Sequence, residues 1–142
     1  MYTVKEVADI LGISVHTVRY YDDRGLIPGT KRDKSNQRLF SDDELEWLFV
    51  SVTLRSTGLS VKEIQRYIAL YQQGDSTVGE RYALMEAQRQ KILEEIENLH
   101  YRLRLLERKA EHYRKLMAGE EDVWSHEFMQ DLIWKGRKKD GK

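Results

Sequence analysis

Between Val78 and Met117 the chain repeats at alternating steps of four and three residues: Val78, Tyr82, Met85, Arg89, Ile92, Ile96, Leu99, Leu103, Leu106, Ala110, Tyr113 and Met117. Arg89 is the only charged intruder, and the chain's single proline lies far upstream at Pro28. A 3.5-residue period sustained over this length is a coiled-coil seam. A continuous helix here runs roughly 60 Å, far more than a head of 75 residues can cover. The stripe needs a partner helix, and the simplest partner is a second copy of the chain. Ile92, Ile96, Leu99, Leu103, Leu106, Ala110 and Tyr113 are the predicted dimerisation residues. The expected organisation is therefore a globular unit over 1–75, a dimerisation helix over 76–118 and a short tail over 119–142.

The head is predicted to be mainly α. Four segments carry a hydroxyl followed three residues later by glutamate: Thr3–Glu6, Ser41–Glu44, Ser60–Glu63 and Thr77–Glu80. Each reads as a capping box that opens a helix. Ser14 opens another without the glutamate, and Gly12, Gly25, Gly58, Gly74 and Gly119 mark the stops. The resulting helices lie near 4–11, 15–24, 42–57 and 61–73. Leu45, Leu48, Phe49, Val52, Ile64, Tyr67 and Ile68 are the expected core of the later pair. Only Gly12-Ile13-Ser14 separates the first two helices, so they must cross steeply, as in a helix-turn-helix.

With Val15 and Val18 turned inward, His16, Thr17, Tyr20 and Asp23 fall on the outer face, with Arg19 at its flank. Such a face suits a DNA major groove, where Arg and Thr read base edges or hold phosphate. The alternative is an ordinary surface face. The segment from Gly29 to Ser41 is the only one that reads as strand, a small hairpin with turn chemistry at Asp33–Asn36. Total charge balances at 24 basic against 24 acidic residues, but residues 24–38 hold five basic residues to one acid. Arg32, Lys34 and Arg38 would neutralise phosphates from such a hairpin, although Arg38 could equally be tied to Asp22 or Asp23. The helix after Ser60 offers free amides beside Lys62, either an anion site or a plain cap.

These residues together resemble a known family. TVKEVADILGISVHTVRYYDDRGLIPGTKRDKSNQRLFSDDELEWL is similar to the N-terminal winged helix-turn-helix of the MerR family of transcription regulators. VRYYDDRGLI, the wing ending in RLF and the acidic SDDEL carry the likeness, and GLSVKEIQRYIALYQQGDSTVGER continues it. The resemblance implies a homodimer whose long helices pair antiparallel, bound to a pseudo-palindromic site in double-stranded promoter DNA. It also implies DNA distortion that lets RNA polymerase engage widely spaced promoter elements, biased by a possible small-molecule effector. His16, Thr17, Arg19, Tyr20, Arg32, Lys34, Gln37, Arg38 and Lys62 are the expected DNA contacts.

Two departures stand out. Asn36-Gln37-Arg38 replaces the Gly-Tyr-Arg that many relatives carry in the wing. The aldehyde-stress subgroup, which the chain otherwise resembles, uses a cysteine that aligns with Thr53. The chain has no cysteine at all, so thiolate-adduct, thiolate-metal and iron–sulfur sensing are excluded.

Other classes find little support. Four scattered histidines argue against a metal site. No phosphate loop, nucleophile elbow or helical His-Glu-x-x-His motif occurs, so no cofactor and no enzymatic activity are expected. No apolar run reaches the roughly 20 residues of a membrane span, and the acidic N-terminus is unlike a signal peptide. A cytoplasmic protein is expected, with no membrane partner. A coiled-coil adaptor would explain 78–117 but not the basic hairpin, and an excisionase-like architectural protein would not need the long helix. In the tail, Trp124, Phe128, Leu132 and Ile133 suggest a helical turn or two before a disordered GRKKDGK end. Trp124, Phe128 and Trp134 could wall a ligand, or simply pack within the dimer.

Overall fold

A computed structural model describes residues 1–120 and the helical backbone of 126–139. By contacts the chain divides into two units, Met1–Ile92 and Leu93–Lys142. In the first, β1 (Tyr2–Thr3) leads into α1 (Val4–Leu11), α2 (Val15–Asp23), β2 (Lys31–Arg32), β3 (Arg38–Phe40), α3 (Asp42–Ser56) and α4 (Val61–Gln72). A single 3-10 turn, Asp75–Thr77, then opens α5 (Val78–Met117), and α6 (His126–Lys139) lies in the second unit. Among the described residues no helix is long and apolar enough to cross a membrane.

The helix starts follow from their caps. Thr3 Oγ1 accepts from the Glu6 amide while Glu6 accepts from the Thr3 amide, both at 3.2 Å. Ser60 and Glu63 make the same reciprocal pair at 3.1 Å, and the Ser41 amide donates to Glu44 at 2.8 Å. Ser14 caps α2 through the Thr17 amide at 3.0 Å.

Thr77 departs from the predicted box. Its buried hydroxyl turns back to donate to the Leu70 and Gly74 carbonyls, at 2.5 and 2.9 Å. Glu80 instead lies 3.6 Å from Arg66. A chain leaving one helix for another within five residues has carbonyls to satisfy locally, and the hydroxyl is used there.

The Glu63 box carries a pH dependence. The Ser60 amide and hydroxyl, with the Lys91 ammonium adding attraction, hold the Glu63 carboxyl below its usual value of 4.5. A depressed folded pKa stabilises the fold above the usual value and loses that contribution as pH falls through the folded one. Glu63→Gln, whose amide still caps, is expected to flatten the fall in melting temperature between about pH 5 and pH 3. Parallel curves for wild type and variant in that window would contradict this role.

A core of fully buried Val7, Val18, Leu26, Phe40, Leu48 and Ile64 joins α1, α2, β3, α3 and α4. Two expectations are corrected. Phe49, predicted as core, is 56% exposed; its neighbour Leu48 takes the inward position one residue, about 100° of helix, away. The hairpin is also not the only strand segment. β1 pairs antiparallel with β3, Tyr2 opposite Phe40 and Thr3 opposite Leu39, giving a three-stranded sheet in the order β1-β3-β2. Two residues cannot display an alternating pattern, so only the tertiary pairing reveals them.

The opening turns of α5 belong to the head. Met85 packs on the core, and buried Gln88 donates through Nε2 to the Thr57 carbonyl at 2.7 Å. A Cβ on Gly58 would lie 2.9 Å from that nitrogen and displace it, and the φ of +97° at Gly58 is a backbone conformation that favours glycine. In the second unit the repeat residues face outward: Ile96, Leu99, Leu103, Leu106 and Tyr113 are all exposed, Leu106 at 68%. The tail holds more helix than the expected turn or two, since α6 has 14 residues and runs through Lys139 of the segment expected to be disordered. Trp124 and the side chain of Phe128 lie outside the described residues, as do residues 140–142.

Candidate nucleic-acid interface

The interface is built on the crossing of α1 and α2. Gly12 closes α1 in the left-handed region at φ +67°, donating to the Ala8 and Asp9 carbonyls, and the Ile13 amide donates to Ala8 at 3.0 Å. Val18 and Tyr21 are buried, and Val15 is half-buried beside them. That fixes the rotation of α2. His16, Arg19, Tyr20 and Asp23 are exposed, and Thr17 is half-exposed with its hydroxyl 2.8 Å from Ser14 Oγ. The Tyr20 ring carries the Arg24 guanidinium at 5.2 Å and meets Tyr21 edge-on. Burial pushes the Tyr21 phenol up from its ordinary value, so it remains neutral across working pH.

The wing tip is closed by Asp33. Its carboxylate accepts the Ser35 and Gln37 amides at 2.8 and 2.9 Å, and the Asp33 amide donates to the Gln37 carbonyl at 2.9 Å. Asn36 adopts φ +63°, the left-handed conformation its side chain tolerates. The one acid of the basic segment is therefore engaged in forming the turn. Arg32 donates to the Asn36 carbonyl at 3.0 Å, while Lys34 and Gln37 are exposed at the tip.

Arg38 resolves toward the ion-pair alternative. One nitrogen lies 3.4 Å from Asp22 and donates to the Arg19 carbonyl at 3.1 Å; the other donates to Asp23 at 2.8 Å. Its side chain is only 14% exposed. One guanidinium thus fastens β3 to the end of α2 and sets the wing relative to the helix. Lysine has no planar fork with which to bridge three acceptors. Arg38→Ala is expected to lower both melting temperature and DNA affinity, costing about 1–3 kcal/mol of stability. Equal melting temperatures for wild type and Arg38→Ala would show that the clamp carries no weight.

Between α1, α2 and the wing lies an open groove of about 780 Å³. It gathers Arg19, Arg32, Gln37 and Arg38 from the expected set and adds Lys5 and Asp9 from α1. Sequence reasoning missed Lys5, because its place beside the wing depends on how α1 crosses α2. His16, Thr17, Tyr20, Lys34 and Lys62 do not line the groove; Lys62 is exposed at the start of α4. No three His, Asp or Glu among the described residues come together as a metal cluster.

A tight helix pair with a basic wing on a three-stranded sheet defines a winged helix-turn-helix protein. The family model described as MerR HTH family regulatory protein matches residues 2–70, and that described as MerR, DNA binding matches residues 52–109. An uncharacterised HTH-type transcriptional regulator of Haemophilus influenzae is 39% identical over 117 residues, covering 82% of this chain and 87% of the relative. AdhR of Bacillus subtilis is 33% identical over 91 residues, 64% of this chain and 65% of the relative. Among solved structures, HiNmlR, a MerR family regulator lacking the sensor domain and bound to promoter DNA, superimposes with a TM-score of 0.65 at 39% identity. That match covers 84% of this chain and 95% of the other. A MerR family structure from Listeria monocytogenes covers all of both chains, with a TM-score of 0.69 and 27% identity. The chain belongs to the MerR family and is a MerR-type transcriptional regulator.

Proposed function

We propose that this regulator binds a pseudo-palindromic site in promoter DNA as a homodimer and controls transcription initiation by distorting the duplex. The observation that carries the reading is the pairing of an exposed α2 face with a wing clamped to it through Arg38. On this reading His16, Thr17, Arg19 and Tyr20 enter the major groove. Arg32, Lys34 and Gln37 engage the neighbouring backbone, Lys62 adds a phosphate contact at the α4 N-terminus, and Arg38 holds the wing in register.

The exposed stripe of α5 supplies the dimer seam through Ile92, Ile96, Leu99, Leu103, Leu106, Ala110 and Tyr113, and so sets the spacing of the two heads. The domain division is 1–75 for DNA, 76–118 for dimerisation and 119–142 as a tail. RNA polymerase is the further partner, engaging promoter elements that bending brings into line. Smooth bending of such a site costs roughly 1–6 kcal/mol, which the wing and helix contacts of two heads offset.

Anisotropy with labelled DNA from the regulator's own promoter tests this. Between 50 and 200 mM salt affinity is expected to fall about a thousandfold, because each neutralised phosphate releases a counterion. Lys34→Ala should lower the slope of log affinity against log salt by about one per head. A flat salt response would overturn the proposal and favour a coiled-coil adaptor.

A further inference from the structure

On the side of the head formed by α3 and α4, a cleft of about 330 Å³ is lined by Asp43, Glu46, Trp47, Val50, Tyr67 and Tyr71. The DNA groove includes none of these residues. Asp43, Glu46, Trp47 and Val50 follow the i, i+3, i+4, i+7 spacing of one face of α3, and Tyr67 and Tyr71 are one turn apart on α4. Trp47 and Tyr71 stand perpendicular with ring centroids 5.0 Å apart. The cleft therefore has three aromatic walls, one aliphatic wall and two carboxylates, and it lies within the size range of small-molecule sites.

Its chemistry is selective for charge. Aromatic faces attract cations, most strongly where water is partly excluded. Tyr71 already does this once, since the Arg81 guanidinium lies over its ring at 5.0 Å. Arg81 is itself held by Thr77 Oγ1 at 3.1 Å and the Gly74 carbonyl at 3.3 Å. Among the described residues no lysine or arginine lines the cleft to answer Asp43 and Glu46. The described lining itself carries two acids and no base, so its own charge favours a positive occupant over an anion.

We infer that this cleft binds a small organic cation, a quaternary ammonium or protonated amine carrying apolar substituents. Trp47, Tyr67 and Tyr71 enclose the apolar groups and face the charge, while Asp43 and Glu46 supply the counter-charge at the rim. The inference rests on the regulator reading above and names the effector chemistry, consistent with a chain that has no cysteine for covalent sensing. The occupant touches Tyr71, the ring on which Arg81 rests as it ties the Gly74–Thr77 joint to the start of α5. A ligand there touches the ring that supports this joint, and it shifts a two-state equilibrium to the extent that it binds one arrangement of the joint more tightly than the other.

The test is calorimetric titration of the full-length protein with benzyltriethylammonium and with neutral N,N-diethylbenzamide. The cation is expected to bind with a Kd of about 1 mM or tighter, the weak end for a ligand of this size. The neutral compound should bind about tenfold more weakly. Asp43→Asn with Glu46→Gln alters only exposed positions, leaves the core intact, and should weaken cation binding about fivefold or more with promoter affinity unchanged. Trp47→Ala should remove binding.

Equal affinity for the two compounds, or no effect of the carboxylate variant, would overturn the inference. So would binding seen only in a monomeric Leu99→Glu, Leu103→Glu variant, because a second copy would then cover the cleft. Promoter anisotropy on the same preparation separates the two readings. Normal DNA binding without cation binding refutes the effector site alone, whereas cation binding without DNA binding refutes the regulator reading instead.

Discussion

Replacing Leu99 and Leu103 together with glutamate is expected to convert the protein from a dimer of 16.9 kDa chains to a single chain. Both leucines are 55% exposed, and neither belongs to the buried core of the described residues. Burying a leucine stabilises by roughly 1.5–3 kcal/mol. A symmetric dimer loses four such side chains at once and acquires four carboxylates in their place. Because each leucine is only about half exposed beforehand, the lost burial is roughly 3–7 kcal/mol, a large part of the roughly 12 kcal/mol of a nanomolar association before the carboxylates' repulsion is added.

Light scattering coupled to size exclusion reads the mass directly. Promoter affinity should fall with it by about a hundredfold or more, because the second head no longer binds as part of one molecule. The variant should keep the melting transition of its head, whose core these residues do not enter. A variant that remained dimeric would show that the 3.5-residue stripe is not the seam.

The second large effect is expected at Phe40. This ring is wholly buried and belongs to the central strand, between β1 and β2. Phe40→Ala should cost about 3–5 kcal/mol through lost burial and the cavity left behind. Small domains have only about 5–15 kcal/mol in total, so the melting temperature should drop by about 15 °C or more. Wing geometry, and DNA binding with it, should be lost at temperatures where the wild type is folded. Phe49→Ala provides the internal contrast: at 56% exposure it should cost less than about 1 kcal/mol. Similar melting temperatures for the two variants would contradict the core assignment.

Much of the fold was legible because its determinants are local. Thr3–Glu6 and Ser60–Glu63 cap helices within a single turn of chain, and Ser14 does so through Thr17. Gly12 and Asn36 occupy the left-handed conformations that their residue types signal. The long helix was legible for a different reason, a 3.5-residue apolar register kept over the forty residues that α5 spans.

What escaped depends on partners distant in sequence. β1 is a strand only because Phe40 and Leu39 lie opposite it. Thr77 carries the letters of a capping box, but its hydroxyl is drawn to carbonyls at the end of α4. Phe49 and Leu48 are equally apolar, and only the placement of α3 on the core decides which one points inward. The same holds for the candidate sites. Nothing in the separate segments 43–50 and 67–71 announces a shared cleft, and Lys5 joins the wing groove only through the helix crossing.

The amino-acid order alone determined where helices start and stop, that the early pair turns tightly, that a basic hairpin follows, and that a long helix carries an apolar stripe at 3.5-residue spacing. Each is a property of contacts within a few residues or of a repeat along one helix, and needs no knowledge of how the elements meet. Tertiary structure alone showed that Arg38 pairs with carboxylates. Sequence left it open between phosphate and carboxylate, and the packing of β3 against α2 brought Asp22, Asp23 and the Arg19 carbonyl within reach of one guanidinium. An arginine's long side chain can serve either purpose, and the choice falls to whichever acceptors the fold sets around it.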